Sequence, residues 1–161
     1  MRVLDTAALL HLPLLSLRGL VAHSQRHEVE ALAPERLIEF EVAEIQWLSP
    51  SAESLSLATE CARGTGDLAG LSPVDLDLLA LAMESGLPLV TDDYRLQNCC
   101  KSAGLVYETV KTTGIDAQWE WKLVCSGCKV ELDPRETDAS DRKGSHGSCD
   151  RCGAPLRMRK R

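Results

Sequence analysis

Short apolar segments alternate with amphipathic ones along the first hundred or so residues of the chain. The apolar segments at 2–4, 19–22, 87–90 and 105–107 have the length of buried strands. The amphipathic segments that follow residues 5, 24, 50, 72 and 93 have helical periodicity. Strands alternating with helices predict an α/β fold, with a parallel sheet covered by helices. Residues 36–48 fit either a helix that runs into a strand or a strand with a bulge.

The strongest local signals lie between residues 71 and 98. Ser72 and Pro73 are typical of a helix start, and Gly86 is typical of a helix end. The apolar strand that follows leads directly to Asp92 and Asp93, which precede another helix. Two carboxylates therefore follow a predicted buried strand.

Further acidic residues are predicted to lie near the same edge of the sheet. Asp5 follows the first strand, and Asp75 lies in the first turn of the helix that Ser72 begins. Glu28 lies one turn into the helix predicted after Ser24. Open parallel sheets bind ligands beyond the carboxyl ends of their strands. Each acid also has an ordinary alternative role, as a helix cap, a capping-box partner or a solvated surface residue.

Grouped carboxylates repel one another unless they bind protons or a hard cation. Mg²⁺ and Mn²⁺ prefer oxygen ligands and often bind through one or two carboxylates together with a substrate phosphate. Such ions activate water and stabilise the leaving oxygen when a phosphodiester is hydrolysed. No serine, cysteine or histidine nucleophile motif competes with this chemistry. The pattern therefore favours a metal-dependent nuclease.

Length and charge add a second, smaller unit. The 161 residues suffice for one domain plus an appendage, and no apolar run reaches the roughly 18 residues of a membrane span. Asp5 interrupts the apolar N-terminal run and no cleavage site follows, so we expect a cytoplasmic protein. The net charge of −6 divides into −9 for residues 1–116 and +3 for residues 117–161. This asymmetry predicts that the C-terminal part grips a polyanion.

The cysteine spacing in that part predicts a structural zinc site. The four cysteines form two CxxC pairs separated by twenty residues: Cys125, Cys128, Cys149 and Cys152. We expect Gly127 and Gly153 to let the backbone turn under the metal, with His146 as an alternative ligand. The other three cysteines, Cys61, Cys99 and Cys100, lack ligand spacing and are assigned to packing. Trp119 and Trp121 either pack the small unit against the large one, which we favour, or stack on bases.

Three stretches of the chain, VLDTAALL, LSPVDLDLLALA and LVTDDYRLQN, resemble the acidic motifs of PIN-domain ribonucleases. With the CxxC pairs and basic end, the chain resembles the PIN-plus-zinc-ribbon endoribonucleases of small-subunit ribosome assembly, in their short archaeal-type form. The resemblance implies a nuclease domain at 1–108, a linker at 109–118 and a four-cysteine zinc ribbon with a basic tail at 119–161. It also implies Mg²⁺- or Mn²⁺-dependent cleavage of precursor rRNA, on the pre-small subunit, at the mature 3′ end.

The resemblance assigns roles residue by residue. Asp5 matches the first acid of the family, Asp75 the third, and Asp92 with Asp93 the last. By this match Asp5, Asp75 and Asp93 hold the divalent metal. Glu28, followed by an aliphatic residue, matches the second acid. The neighbouring Gln25 and Arg26 depart from the family pattern, and Glu39 and Glu41 remain alternatives.

Two other functions fit the same features. One is an RNA-binding assembly factor without catalytic activity. The other is a toxin-type PIN ribonuclease that acts on tRNA or mRNA, although such toxins generally lack a ribbon. No small-molecule cofactor and no membrane partner is expected.

Overall fold

The chain forms two separate sheets, which the computed structural model describes over residues 1–111, 121–132 and 146–160. The first sheet is parallel and has the strand order β3-β2-β1-β4-β5. Its strands are β1 (Val3–Leu4), β2 (Arg18–Ala22), β3 (Glu44–Leu48), β4 (Leu89–Val90) and β5 (Tyr107–Glu108). The helices are α1 (Thr6–His11), α2 (Gln25–Leu32), α3 (Arg36–Phe40), α4 (Ala52–Thr65), α5 (Pro73–Ser85) and α6 (Tyr94–Ser102). The predicted α/β class is therefore confirmed.

Two apolar clusters cover the faces of this sheet. One joins α4, α5 and α6 to β1, β2 and β4 and includes Leu78, Leu79, Cys99 and Cys100. The other joins α1, α2 and α3 to the opposite face and includes Leu9, Val29 and Phe40. Helices on both faces leave the strand ends as the accessible edges of the sheet. The assignment of Cys99 and Cys100 to packing is confirmed, since both are fully buried.

Several predicted boundaries shift by a few residues. Residues 36–48 form a helix followed by a strand, which is the first of the two alternatives. The sequence pattern predicts that the helix after residue 50 ends at Gly64, but α4 continues to Thr65, and Gly66 ends it in the left-handed region at φ +81°. Strand β4 begins at Leu89, two residues after the predicted start at 87, and β5 begins at Tyr107 in place of 105.

The second sheet is the small antiparallel ribbon β7-β6-β8, formed by β6 (Trp121–Cys125), β7 (Glu131–Leu132) and β8 (Leu156–Lys160). Its buried residues are Leu123, Cys125, Cys149 and Leu156. The predicted linker at 109–118 and Trp119 lie largely or wholly outside the described residues. Within the described part of the chain, no helix has the length and apolar character to cross a bilayer.

Candidate active site

Asp5 lies at the carboxyl edge of the parallel sheet, directly after the central strand β1. Its side chain caps α1 by accepting the Ala8 N–H at 2.7 Å, and its backbone N–H donates to the Val90 carbonyl of β4 at 3.1 Å. Only 6% of Asp5 is exposed. The register that pairs Leu4 with Val90 thus sets Asp5 beside the residues that follow β4.

The environment of Asp5 raises the pKa of its carboxyl group. Burial raises the pKa of the Asp5 carboxyl from 3.8 to about 6. Hydrogen bonds from the Thr91 side chain and the Ala8 N–H oppose the rise, whereas the negative charge of Asp92 adds to it. The structure therefore brings Asp5 and Asp92 close enough to repel each other.

The residues after β4 form the second part of this edge. The Asp92 carboxylate accepts the N–H groups of Val110 at 2.9 Å and Lys111 at 3.0 Å. Asp93 caps α6 by accepting the Arg95 N–H at 2.7 Å, and its own N–H donates to the Thr91 hydroxyl at 3.0 Å. The Thr91 hydroxyl thus fixes the backbone of Asp93 at this edge.

Glu28 reaches the same edge from α2. The Thr6 hydroxyl, one residue after Asp5, donates to Glu28 Oε2 at 2.7 Å. The two alternatives lie elsewhere, because α3 leads into the start of β3 and so lies toward the amino edge of the sheet. Glu39 pairs with Arg36 there, at 2.8 Å, and Glu41 is exposed.

Gln25, which departs from the family pattern, lies directly behind the site at the ends of β1 and β2. It is fully buried, and its Oε1 accepts the Ala22 N–H at 2.7 Å. Its Nε2 donates to the Leu4 carbonyl at 3.0 Å and lies 3.4 Å from the Thr6 hydroxyl. Gln25 therefore ties together the ends of β1 and β2. The sequence signal for this role was a polar residue directly after Ser24, at the predicted start of a helix.

Asp75 forms the capping box considered as its alternative role. Its Oδ2 accepts the Ser72 N–H at 2.7 Å, and the Ser72 hydroxyl accepts the Asp75 N–H at 3.1 Å. Asp77, two residues on, accepts a hydrogen bond from the Ser24 hydroxyl at 2.7 Å. Ser24 consequently makes no side-chain cap on α2. Asp77 was given no role from sequence, and in the structure it joins α5 to Ser24 at the start of α2.

The chemistry of these donors suits a hard cation, since all are carboxylate oxygens. Their spacing is wider than a ready-made site requires. Among residues 1–111, 121–132 and 146–160, only the four cysteines bring three or more possible metal-ligand atoms within 4.8 Å of one another, and the carboxylates do not. Asp5, Asp75 and Asp93 instead each accept a backbone N–H at a helix start. To share one cation, these carboxylate oxygens would have to move closer together.

The four ribbon cysteines do converge. The sulfurs of Cys125, Cys128, Cys149 and Cys152 all lie within 4.8 Å of one another. The Cys125–Cys152 sulfur separation is 3.3 Å and the Cys128–Cys149 separation is 3.7 Å. Tetrahedral zinc with bonds of about 2.3 Å sets sulfurs roughly 3.8 Å apart, so the group fits this metal.

Only one of the two ribbon glycines acts as expected. Gly153 turns the backbone with φ +72°, whereas at the first CxxC pair the left-handed residue is Lys129, directly after Cys128, at φ +62°. Gly127 is needed for a close approach: a Cβ there would lie 2.8 Å from the Ala154 Cβ and 3.2 Å from the Cys152 sulfur.

Asp5, Asp92 and Asp93 thus follow the carboxyl ends of neighbouring strands in a five-stranded parallel sheet. A family model described as the PIN domain of ribonuclease matches residues 3–84, just over half of the chain. The chain therefore belongs to the PIN-domain family of ribonucleases.

Individual relatives are ribonucleases with two different names. Ribonuclease VapC1 of Thermoplasma acidophilum is 35% identical over 129 residues, which cover 79% of this chain and 66% of the relative. Endoribonuclease Nob1 of Pyrococcus abyssi is 33% identical over 114 residues, covering 71% and 65%. Endoribonuclease Nob1 of Methanocaldococcus jannaschii is 26% identical over 167 aligned positions, covering 98% and 77%. The chain thus spans just under two thirds of the length of the first two.

Proposed function

We propose that this chain is a divalent-metal-dependent endoribonuclease that hydrolyses a phosphodiester in precursor small-subunit rRNA to generate the mature 3′ end. The observation that carries the proposal is the buried Asp5, beside Asp92 at the carboxyl edge of a PIN-type sheet. The converging ribbon cysteines support the rRNA assignment, because the similarity to Endoribonuclease Nob1 of Methanocaldococcus jannaschii extends over 98% of this chain.

The proposal gives each acid a role. Asp5, Asp75 and Asp93 hold Mg²⁺ or Mn²⁺, and Glu28 orients the attacking water. Asp92 holds the loop after β4 in place through the Val110 and Lys111 N–H groups. When bound, the cation activates water and stabilises the leaving oxygen. Thr6 and Thr91 orient Glu28 and Asp93 by their hydrogen bonds.

The ribbon supplies RNA affinity in this proposal. Cys125, Cys128, Cys149 and Cys152 hold a structural zinc that stabilises a unit too small for an adequate core of its own. Arg157 and Arg159 are two residues apart on β8, and both are exposed. Because successive strand residues point to opposite faces, both lie on the same face of the ribbon. Such cations bind phosphates without reading sequence. The RNA partner is then the pre-small subunit.

The experiment compares two neighbouring acids of α5. Purified protein with Mn²⁺ and an RNA that spans the small-subunit 3′ end is assayed as wild type, Asp75→Asn and Asp77→Asn. We expect Asp75→Asn to lower the cleavage rate at least about a hundredfold, as removal of a metal ligand does, and Asp77→Asn to lower it no more than about threefold. Equal cleavage by wild type and Asp75→Asn would refute the metal role of Asp75. RNA binding without cleavage would leave a non-catalytic assembly factor.

The similarity to Ribonuclease VapC1 favours a second candidate, a PIN ribonuclease acting on tRNA or mRNA. The two candidates differ in substrate. Cleavage of tRNA at a rate equal to or above that of the rRNA precursor, unchanged when residues 117–161 are removed, would establish the second and exclude the first.

A further inference from the structure

The end of helix α4 touches the ribbon through a glycine. Gly66, at φ +81°, is packed so closely that a Cβ on it would lie 2.6 Å from the Trp121 Cβ and 3.0 Å from the Met158 Cε. Trp121 begins β6 and Met158 lies on β8, so both ribbon strands meet this one residue. Gly86 ends α5 in the same left-handed conformation, at φ +65°, and has no atom within 4 Å of its Cβ position. The contact at Gly66 is therefore a property of its neighbours and not of helix ends in general.

The next residue is a buried carboxylate that the proposed reaction does not use. Asp67 is 2% exposed, and its Oδ2 accepts a hydrogen bond from Asn98 Nδ2 at 2.7 Å. Burial raises the pKa of Asp67, and the hydrogen bond from Asn98 opposes the rise. A buried carboxylate is unfavourable unless it is hydrogen-bonded. Asp67 therefore joins α6 to the end of α4, since its own N–H also donates to the Ala62 carbonyl at 2.9 Å.

The same contacts continue toward the acidic edge. Asn98 lies on α6, the helix that Asp93 caps. Arg95, in the first turn of α6, lies across Gly70, where a Cβ would be 2.2 Å from Arg95 Nε. The charge of Arg95 also lowers the pKa of Asp67. The ribbon contact and the candidate site are thus linked through the first two turns of one helix.

We propose that Gly66 and Asp67 form a docking seat, defined by these two residues, which fixes the zinc ribbon against the nuclease domain through Trp121 and Met158. The seat sets the distance between the basic ribbon and the acidic edge, so that both contact one RNA molecule. This second statement rests on the proposed function. Two binding surfaces held at a fixed separation bind without ordering cost at the moment of association. Gly66 and Asp67 are positioning residues in this scheme, acting through the ribbon.

The test uses the full zinc-loaded chain and two glycine variants with matched backbone conformations. Backbone ¹⁵N relaxation gives rotational correlation times for amides of β6–β8 and of α4–α6. In the wild type and in Gly86→Ala we expect one common time for both groups. In Gly66→Ala we expect a shorter time for the ribbon, because the added methyl displaces Trp121. Trp121→Ala, which removes the ring from the ribbon side, serves if Gly66→Ala fails to fold. Two separate times in the wild type, or one common time in the folded seat variant, would overturn the docking.

Cleavage kinetics test the RNA part separately. We expect Gly66→Ala to raise KM for the rRNA precursor by about tenfold, since the preorganised second contact is lost, and to leave kcat within about twofold. Gly86→Ala should change neither constant. An unchanged KM in an undocked variant would refute the effect on RNA. If neither the wild type nor any variant cleaves RNA, the proposed function is refuted. The relaxation measurements would still show whether the ribbon docks against α4.

Discussion

Replacing Gln25 with alanine should destabilise the nuclease domain far more than replacing its surface neighbours does. The change removes the partners of two buried backbone groups, the Ala22 N–H and the Leu4 carbonyl, which Gln25 contacts at 2.7 and 3.0 Å. Each buried group left without a partner costs about 1–3 kcal/mol. We therefore expect the free energy of unfolding to fall by about 2–6 kcal/mol, a large part of the roughly 5–15 kcal/mol of a typical domain.

Urea denaturation followed by far-ultraviolet circular dichroism measures this loss. With a slope of about 2 kcal/mol per molar urea, the midpoint should fall by roughly 1–3 M. Arg26→Ala is the control, because Arg26 lies in the same turn and makes an exposed ion pair with Glu30 at 3.1 Å. Such pairs contribute only about 0.3–0.5 kcal/mol. If Gln25→Ala loses no more stability than Arg26→Ala, Gln25 does not hold the strand ends together.

Two further predictions concern pH and zinc. In metal-free protein the raised pKa of Asp5 means that its contribution to stability is complete below about pH 4 and is lost as pH rises through about 6. The pKa change from 3.8 to about 6 corresponds to roughly 3 kcal/mol at about 1.4 kcal/mol per unit. The free energies of unfolding of wild type and Asp5→Asn, measured with a chelator from pH 4 to 7, should diverge by up to that amount. Parallel curves would contradict the raised pKa of Asp5. Removing zinc, or Cys149→Ser, should abolish the ribbon's chemical-shift dispersion and leave the nuclease domain folded, whereas Cys61→Ser should leave the ribbon intact. A ribbon that stays folded in Cys149→Ser would refute the zinc requirement.

The order of strands and helices could be predicted because it depends on local pattern. Asp5 and Asp92 follow short apolar segments, and parallel topology then brings both to one edge. Contacts between distant residues could not be predicted in this way. Ser24 has the composition of a cap, yet its hydroxyl bonds to Asp77, fifty-three residues away. No local rule distinguishes a serine that caps its own helix from one that bonds to another.

The roles of individual glycines likewise depend on distant residues and not on local pattern. Gly64 is the helix end that the sequence pattern predicts, whereas the structure ends the helix at Gly66, where Trp121 also approaches. Gly127 was expected to turn the backbone, but it is the nearness of Ala154 and Cys152 that excludes a side chain there. Each of these choices depends on residues more than twenty positions away, which periodicity does not reveal.

The three carboxylates assigned to the cation already serve the fold, since Asp5, Asp75 and Asp93 each accept a backbone N–H where a helix begins. Each of these hydrogen bonds uses one carboxylate oxygen, so a divalent ion would bind through the other oxygen of the same side chain. Asparagine can still accept those N–H groups, whereas alanine cannot. Parallel asparagine and alanine series at the three positions would consequently separate the loss of ion affinity from the loss of folding.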